Sequence, residues 1–229
     1  NYCSLFFHLG GPGVLLIKVL FNVIYLAAAW ILIFYMIRRK NIAGYKERFT
    51  IQCIFAAFFV MVAGDTFCSI LSAICYTTDM NSWLIELTSG ISGVLFITFL
   101  LFAFKYHFNC PFDFYQVFLL FISLVRLVTI IFPGEGLRIS GSILFAVFGV
   151  GVAFLIMREA FARNDYVFIQ AGIMLLVSML CSIPEMFFFN SQVLTFVFTA
   201  AKTLANLSMG MIFLGGLFRK TGINMVRLR

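Results

Sequence analysis

Charge is what this sequence has least of. Asp, Glu, Lys and Arg make up 11% of its 229 residues, while 63% are hydrophobic and 31 are Phe. A soluble domain carries about 25% charged residues. So much apolar surface cannot be hidden inside a water-soluble globule of this size, which excludes a soluble enzyme. Polar, low-complexity stretches are also lacking, and with them the composition of a disordered chain. Strict alternation over strand-length segments is missing, which excludes a closed β-barrel. The six cysteines and two histidines show no CxxC or Cys/His ligand spacing, so no metal site is expected. Residues 1–11 are short and lack a basic n-region, so they do not read as a signal peptide. The net charge of +7 reads as positive-inside bias rather than as nucleic-acid binding.

What is present is a series of long apolar stretches. A membrane-spanning helix needs about 20 mostly apolar residues. Seven stretches meet that need, at 12–37, 49–75, 82–104, 114–132, 139–158, 166–189 and 191–218. The expectation is an all-α, polytopic membrane protein forming a single domain over 1–229, with seven transmembrane helices. Arg38, Arg39, Lys40, Lys46, Arg48, Lys105, Arg158, Arg163, Arg219, Lys220, Arg227 and Arg229 fall on one side of that layout. Arg138 stands alone on the other. Positive-inside bias then places the N-terminus outside and the C-terminus in the cytoplasm.

The first residue is Asn1, which reads as a processed chain or a fragment. The basic tail reads as a lead into a cytoplasmic output domain beyond Arg229. Cys3 and Cys75 are the two cysteines able to meet outside as a disulfide. Leu20-Phe21-Asn22-Val23 is echoed by Leu144-Phe145-Ala146-Val147, and Ile51-Gln52 by Ile169-Gln170. These echoes suggest two parallel three-helix units joined by the fourth span, a 3+1+3 repeat about an axis along the membrane normal.

Six ionisable residues fall inside the spans: Lys18, Asp65, Glu86, Arg126, Glu185 and Lys202. An ionisable group in hydrocarbon is costly unless paired or hydrated, so each is a functional candidate. Counted along the helices, all six lie in the outer half or near mid-depth, and the cytoplasmic halves are almost wholly apolar. Lys18 and Glu185 also fit snorkelling to the interface, and Glu86 fits a helix-start cap. Asp65, Arg126 and Lys202 are too deep for either. Ser89 and Thr199 belong to the small and polar residues around them, which also serve close helix packing. Pro184 is expected to kink the sixth span. The expected site therefore has Asp65 and Glu185 as acid/base pair, with Arg126, Lys202, Glu86, Lys18, Ser89 and Thr199 binding a small or amphiphilic ligand. Cofactors stay unassigned. Membrane lipids are the expected surroundings, and homo-oligomerisation stays open.

Two resemblances sharpen these expectations. Ala63-Gly64-Asp65-Thr66-Phe67 resembles the Gly-Asp signature of the lysoplasmalogenase family. Ser92-Gly93-Val94-Leu95-Phe96, the run Gly172 to Ser178, and Phe198-Thr199-Ala200 are similar to later helices of that family. Met179 follows Ser178 where the family carries an acid, and one N-terminal span is missing here. The resemblance implies hydrolysis of the vinyl-ether bond of a lysolipid, with Asp65 as acid/base and Glu185 as the second carboxylate. Separately, Ala200-Ala201-Lys202 at mid-span resembles the retinal Schiff-base lysine of microbial opsins, and Glu86 stands where a counterion would. Only Trp30 and Trp83 are present to cage a polyene. A sensor, a transporter and a structural subunit of a membrane complex also fit such a bundle.

Overall fold

In a computed structural model, the structure describes residues 12–39, 45–78, 83–110, 117, 121, 124, 125, 128, 129, 131, 135–187 and 192–226. Six long helices account for nearly all of them: α1 (Pro12–Arg39), α2 (Tyr45–Thr78), α3 (Trp83–Phe108), α4 (Glu135–Ala162), α5 (Tyr166–Phe187) and α6 (Gln192–Val226). All six contain an apolar stretch long enough to cross a membrane, from 18 to 25 residues. The chain is thus an all-helical, multi-pass membrane protein. Within 114–132 the seven described positions are helical, and the rest of that expected span lies outside the described residues.

The helices overrun the apolar stretches that announce them. α2 is 34 residues long, about 51 Å at 1.5 Å per residue, well beyond a hydrocarbon core of about 30 Å. Nothing in the flanking polar residues breaks a helix, so the backbone continues past the apolar stretch. α5 likewise stays helical through Pro184 to Phe187.

Each helix packs on its chain neighbour, and α6 returns to α1, which closes a ring; α2 also touches α6 across the middle. Large apolar side chains such as Leu20, Ile31, Phe67, Phe154 and Leu204 stay more than half exposed around the outside. In water that surface would drive aggregation, whereas in lipid it is a solvation belt. Inside, a chain of aromatic edge contacts ties four helices together. Phe96 meets Phe58, Phe58 meets Phe213, Phe213 meets Phe168, Phe168 meets Phe108, and Phe108 meets Phe104, with centroids 5.1–6.1 Å apart. These rings fill the half of the bundle in which α1 finishes at Arg38 and Arg39, here called the basic end.

Glycines set two of the closest approaches. A methyl group on Gly64 would run into the Cβ and Oγ of Ser92, so α2 and α3 meet backbone to backbone there. A methyl group on Gly149 would meet the sulfur of Met179 instead. The two clashes differ in kind, because a thioether tip can swing away and a Cβ cannot. Gly64→Ala is therefore expected to destabilise the protein by about 1–3 kcal/mol and Gly149→Ala by clearly less, read from unfolding midpoints in micelles. Ser92→Gly should restore much of the Gly64→Ala loss.

Candidate functional site

α1 lays three side-chain donors against α2. Tyr25 donates its hydroxyl to Oδ2 of Asp65 at 2.6 Å. Asn22 donates to Oγ of Ser69 at 2.9 Å, and the indole of Trp30 donates to Oγ1 of Thr66 at 3.1 Å. Both acceptors pass the bond on, since Ser69 donates to the Asp65 carbonyl at 2.8 Å and Thr66 to that of Val62 at 2.7 Å. The seam arises because Asn22 and Tyr25 are three residues apart on α1, while Asp65 and Ser69 are four apart on α2. Each pair therefore lines one face of its helix. Tyr25 is almost fully buried beside Ala29 in the stripe that anchors α1.

Lys202 approaches Asp65 from α6. It comes to that depth because α1 and α6 run parallel. Phe21 packs on Phe196 near one end, and Leu32 lies against Gly210 further along. Interpolating between these contacts sets Lys202 level with Tyr25. The site thus sits where α1, α2 and α6 converge.

Magnitudes explain the arrangement. An Asp at the bilayer centre costs about 2.5–3.5 kcal/mol even by lenient scales. A hydrogen bond to a charged group returns about 1.5–3 kcal/mol, and a 2.6 Å O–H···O contact lies in the short, charge-assisted range. The phenol alone offsets part or most of the cost, and the ammonium of Lys202 helps cover the rest. Such a centre can hold a charge at mid-depth, orient a polar ligand group and exchange a proton with it.

Of the expected site residues, the structure brings Asp65 and Lys202 together. Thr199 is half-buried on α6, its carbonyl accepting from Thr203 at 3.0 Å. Ser89 is exposed on α3, where its carbonyl accepts from Ser92. Arg126 lies outside the described residues, and so do the side chains of Lys18, Glu86 and Glu185 and the Cys3–Cys75 pair. Tyr25 was missed by sequence reasoning. Its signal is position: a tyrosine inside a span sits away from the interface belt where tyrosines usually gather.

Beyond the expected spans, the basic end carries a second polar cluster. Asp165 caps α5, its Oδ1 accepting from the backbone N–H of Val167 at 3.1 Å and of Phe168 at 3.3 Å. Its Oδ2 lies 2.9 Å from Nε2 of His107, in the last turn of α3, and that imidazole stacks on Phe168 at 4.4 Å. Arg158 pairs with Glu159 at 2.9 Å, and Arg163 lies over the ring of Phe108. The Cys110 thiol is 3.9 Å from Glu159 and from Arg163. Asn109 and Asn164 take left-handed conformations that stop α3 and α4. The sequence scatters these residues over two loops, while the fold draws them into one clamp on three helix ends.

Comparison with protein-family models, curated proteins and solved structures finds no match to this chain. Its own side chains must therefore carry the functional reading.

If Tyr25 sustains the Asp65 charge, Tyr25→Phe should lower stability by about 1.5–3 kcal/mol. In an Asp65→Asn background the same substitution should cost much less. A double-mutant cycle on unfolding in micelles measures this, and equal losses in both backgrounds would show that the two groups are uncoupled.

Proposed function

We propose that this chain is a seven-helix membrane protein that binds a small or amphiphilic molecule at the Asp65–Tyr25–Lys202 centre. The observation that carries the reading is the 2.6 Å bond from Tyr25 to Asp65, inside the bundle and within the field of Lys202. A single structural ion pair would need no third group, whereas a carboxylate, a phenol and an ammonium on three helices form a centre with donors and acceptors of both charge signs.

The proposed layout has a further crossing between α3 and α4. Those helices run parallel: Gly93 lies against Phe145 near their starts, and Cys110 reaches Glu159 near their ends. A return of the intervening chain along the bundle would join them, and their parallel run supports the reading of a fourth span at 114–132 and two parallel three-helix units. With the basic residues in the cytoplasm, the N-terminus is outside and the centre lies in the outer half.

The sharpest form of this function is hydrolysis of a lysolipid vinyl ether, with Asp65 as the acid/base and Glu185 as the second carboxylate. Asp65→Asn should abolish turnover of a lysoplasmalogen, read as aldehyde release, while leaving the helical circular-dichroism signal intact. Undiminished turnover would sink the hydrolase. A second reading, a retinal protein, draws support from the action of Lys202 on Asp65, since a Schiff-base lysine needs a carboxylate counterion; Asp65 would fill that role in place of Glu86. Added retinal should then give a red-shifted visible band that Lys202→Ala removes. A spectrum of free retinal would end that reading.

A further inference from the structure

Hydroxyl groups inside this bundle follow one habit. Thr66, Ser69, Ser72, Thr88, Thr98, Ser182 and Thr203 each donate to the carbonyl four residues earlier on their own helix. That local bond satisfies a hydroxyl without help from another helix. Ser178 and Thr50 break the habit. Each is 1% exposed, and the hydroxyl of each has no hydrogen-bond partner among the described residues; Thr50 stands apart, near the start of α2 at the basic end. Asn206 is 8% exposed, and its Oδ1 also lacks a partner among the described residues. A buried polar atom left unpaired costs about 1–3 kcal/mol, so two at one depth call for a common explanation.

Their depth follows from helix contacts. Asn206 stands four residues after Lys202 and four before Gly210, on the helix face that all three share. A methyl group on Gly210 would meet Leu32 of α1 and Phe58 of α2, so that face looks toward the helices carrying Tyr25 and Asp65. Asn206 is thus about 6 Å deeper than Lys202, between the charged centre and the aromatic rings. α5 and α6 run antiparallel, with Val167 against Gly216. Counting eleven residues along α5 and ten back along α6 sets Ser178 and Asn206 within about 2 Å of the same level.

We propose that Asn206 and Ser178 form an inner hydrogen-bonding subsite of the Asp65–Tyr25–Lys202 centre, which takes a neutral hydroxyl or amide N–H of the ligand. The inference rests on the reading of that centre as a binding site and names the second group that its ligand carries. Oδ1 of Asn206 only accepts, so the arriving group must donate. A carboxylate or a fully ionised phosphate has no proton to give to that oxygen. A hydroxyl satisfies both orphans, donating to Asn206 and accepting from Ser178. The ligand is then an amphiphile with a polar or charged group at Asp65 and Lys202 and a neutral donor about one helical turn deeper.

The test uses the whole protein in phosphatidylcholine nanodiscs containing 1-monooleoylglycerol or its di-O-methyl ether. The two lipids share a chain and differ in hydroxyl donors. Thermal unfolding is followed by circular dichroism as each lipid is titrated. Monooleoylglycerol should raise the midpoint saturably, and the dimethyl ether should not. Asn206→Leu should weaken the apparent affinity about tenfold, the equivalent of one hydrogen bond. Ser178→Ala, a smaller change, should weaken it in the same direction and serves if Asn206→Leu does not fold. Loss of the response in Asp65→Asn with full retention in Asn206→Leu and Ser178→Ala would leave the centre standing and overturn the inner subsite. Retention in all three variants would overturn both. Equal effects of the two lipids would assign the orphan atoms to water and overturn the ligand subsite.

Discussion

A carboxylate inside a hydrocarbon layer has to be compensated by groups that the protein itself supplies, because the lipid offers none. The region around Asp65 is organised by that requirement. Tyr25 comes from α1, Lys202 from α6, and the carboxylate from α2, so the three helices are tied at one depth. α1 needs this tie, since most of its surface is exposed and its buried stripe is narrow. Its three polar bonds to α2 fix rotation and register where apolar packing, being non-directional, would fix neither.

The two halves of the bundle hold together differently. Toward the basic end, Phe58, Phe96, Phe104, Phe108, Phe168 and Phe213 pack edge to face and fill the interior. Below them, the His107–Asp165 contact and the cap on α5 join the ends of α3, α4 and α5. Toward the other end, hydroxyls and an amide join the Phe21–Phe196 ring contact between the helices. A polar ligand entering from that end would meet donors and acceptors first and aromatic packing last. Such an order suits a site with one open side.

The spans were legible because the bilayer imposes a length and a composition on any helix that crosses it. Asp65 and Lys202 were legible for the complementary reason, since an ionisable residue stands out against an apolar background. Tyr25 did not stand out, and Asn206 and Ser178 were not read as site residues, because Tyr, Asn and Ser occur in spans for several bland reasons. Their meaning depends on what faces them. His107 and Asp165 are 58 residues apart and looked like unrelated loop residues. Helix ends were also misjudged, since hydropathy marks where lipid stops and hydrogen bonding marks where the helix stops.

The sequence by itself determined the class of the protein and set Asp65 and Lys202 within its spans, because both follow from counting apolar residues at 1.5 Å per residue. Which charges meet was decided by the tertiary structure alone. Rotation and neighbour choice of a helix in lipid depend on close packing and on a few directional bonds, and neither is written in hydropathy. The nearness of Lys202 to Asp65 needed α1 and α6 to run parallel and α2 to touch α6 across the ring. The same geometry sets Asn206 and Ser178 at one depth, where each carries a buried polar atom with no partner among the described residues.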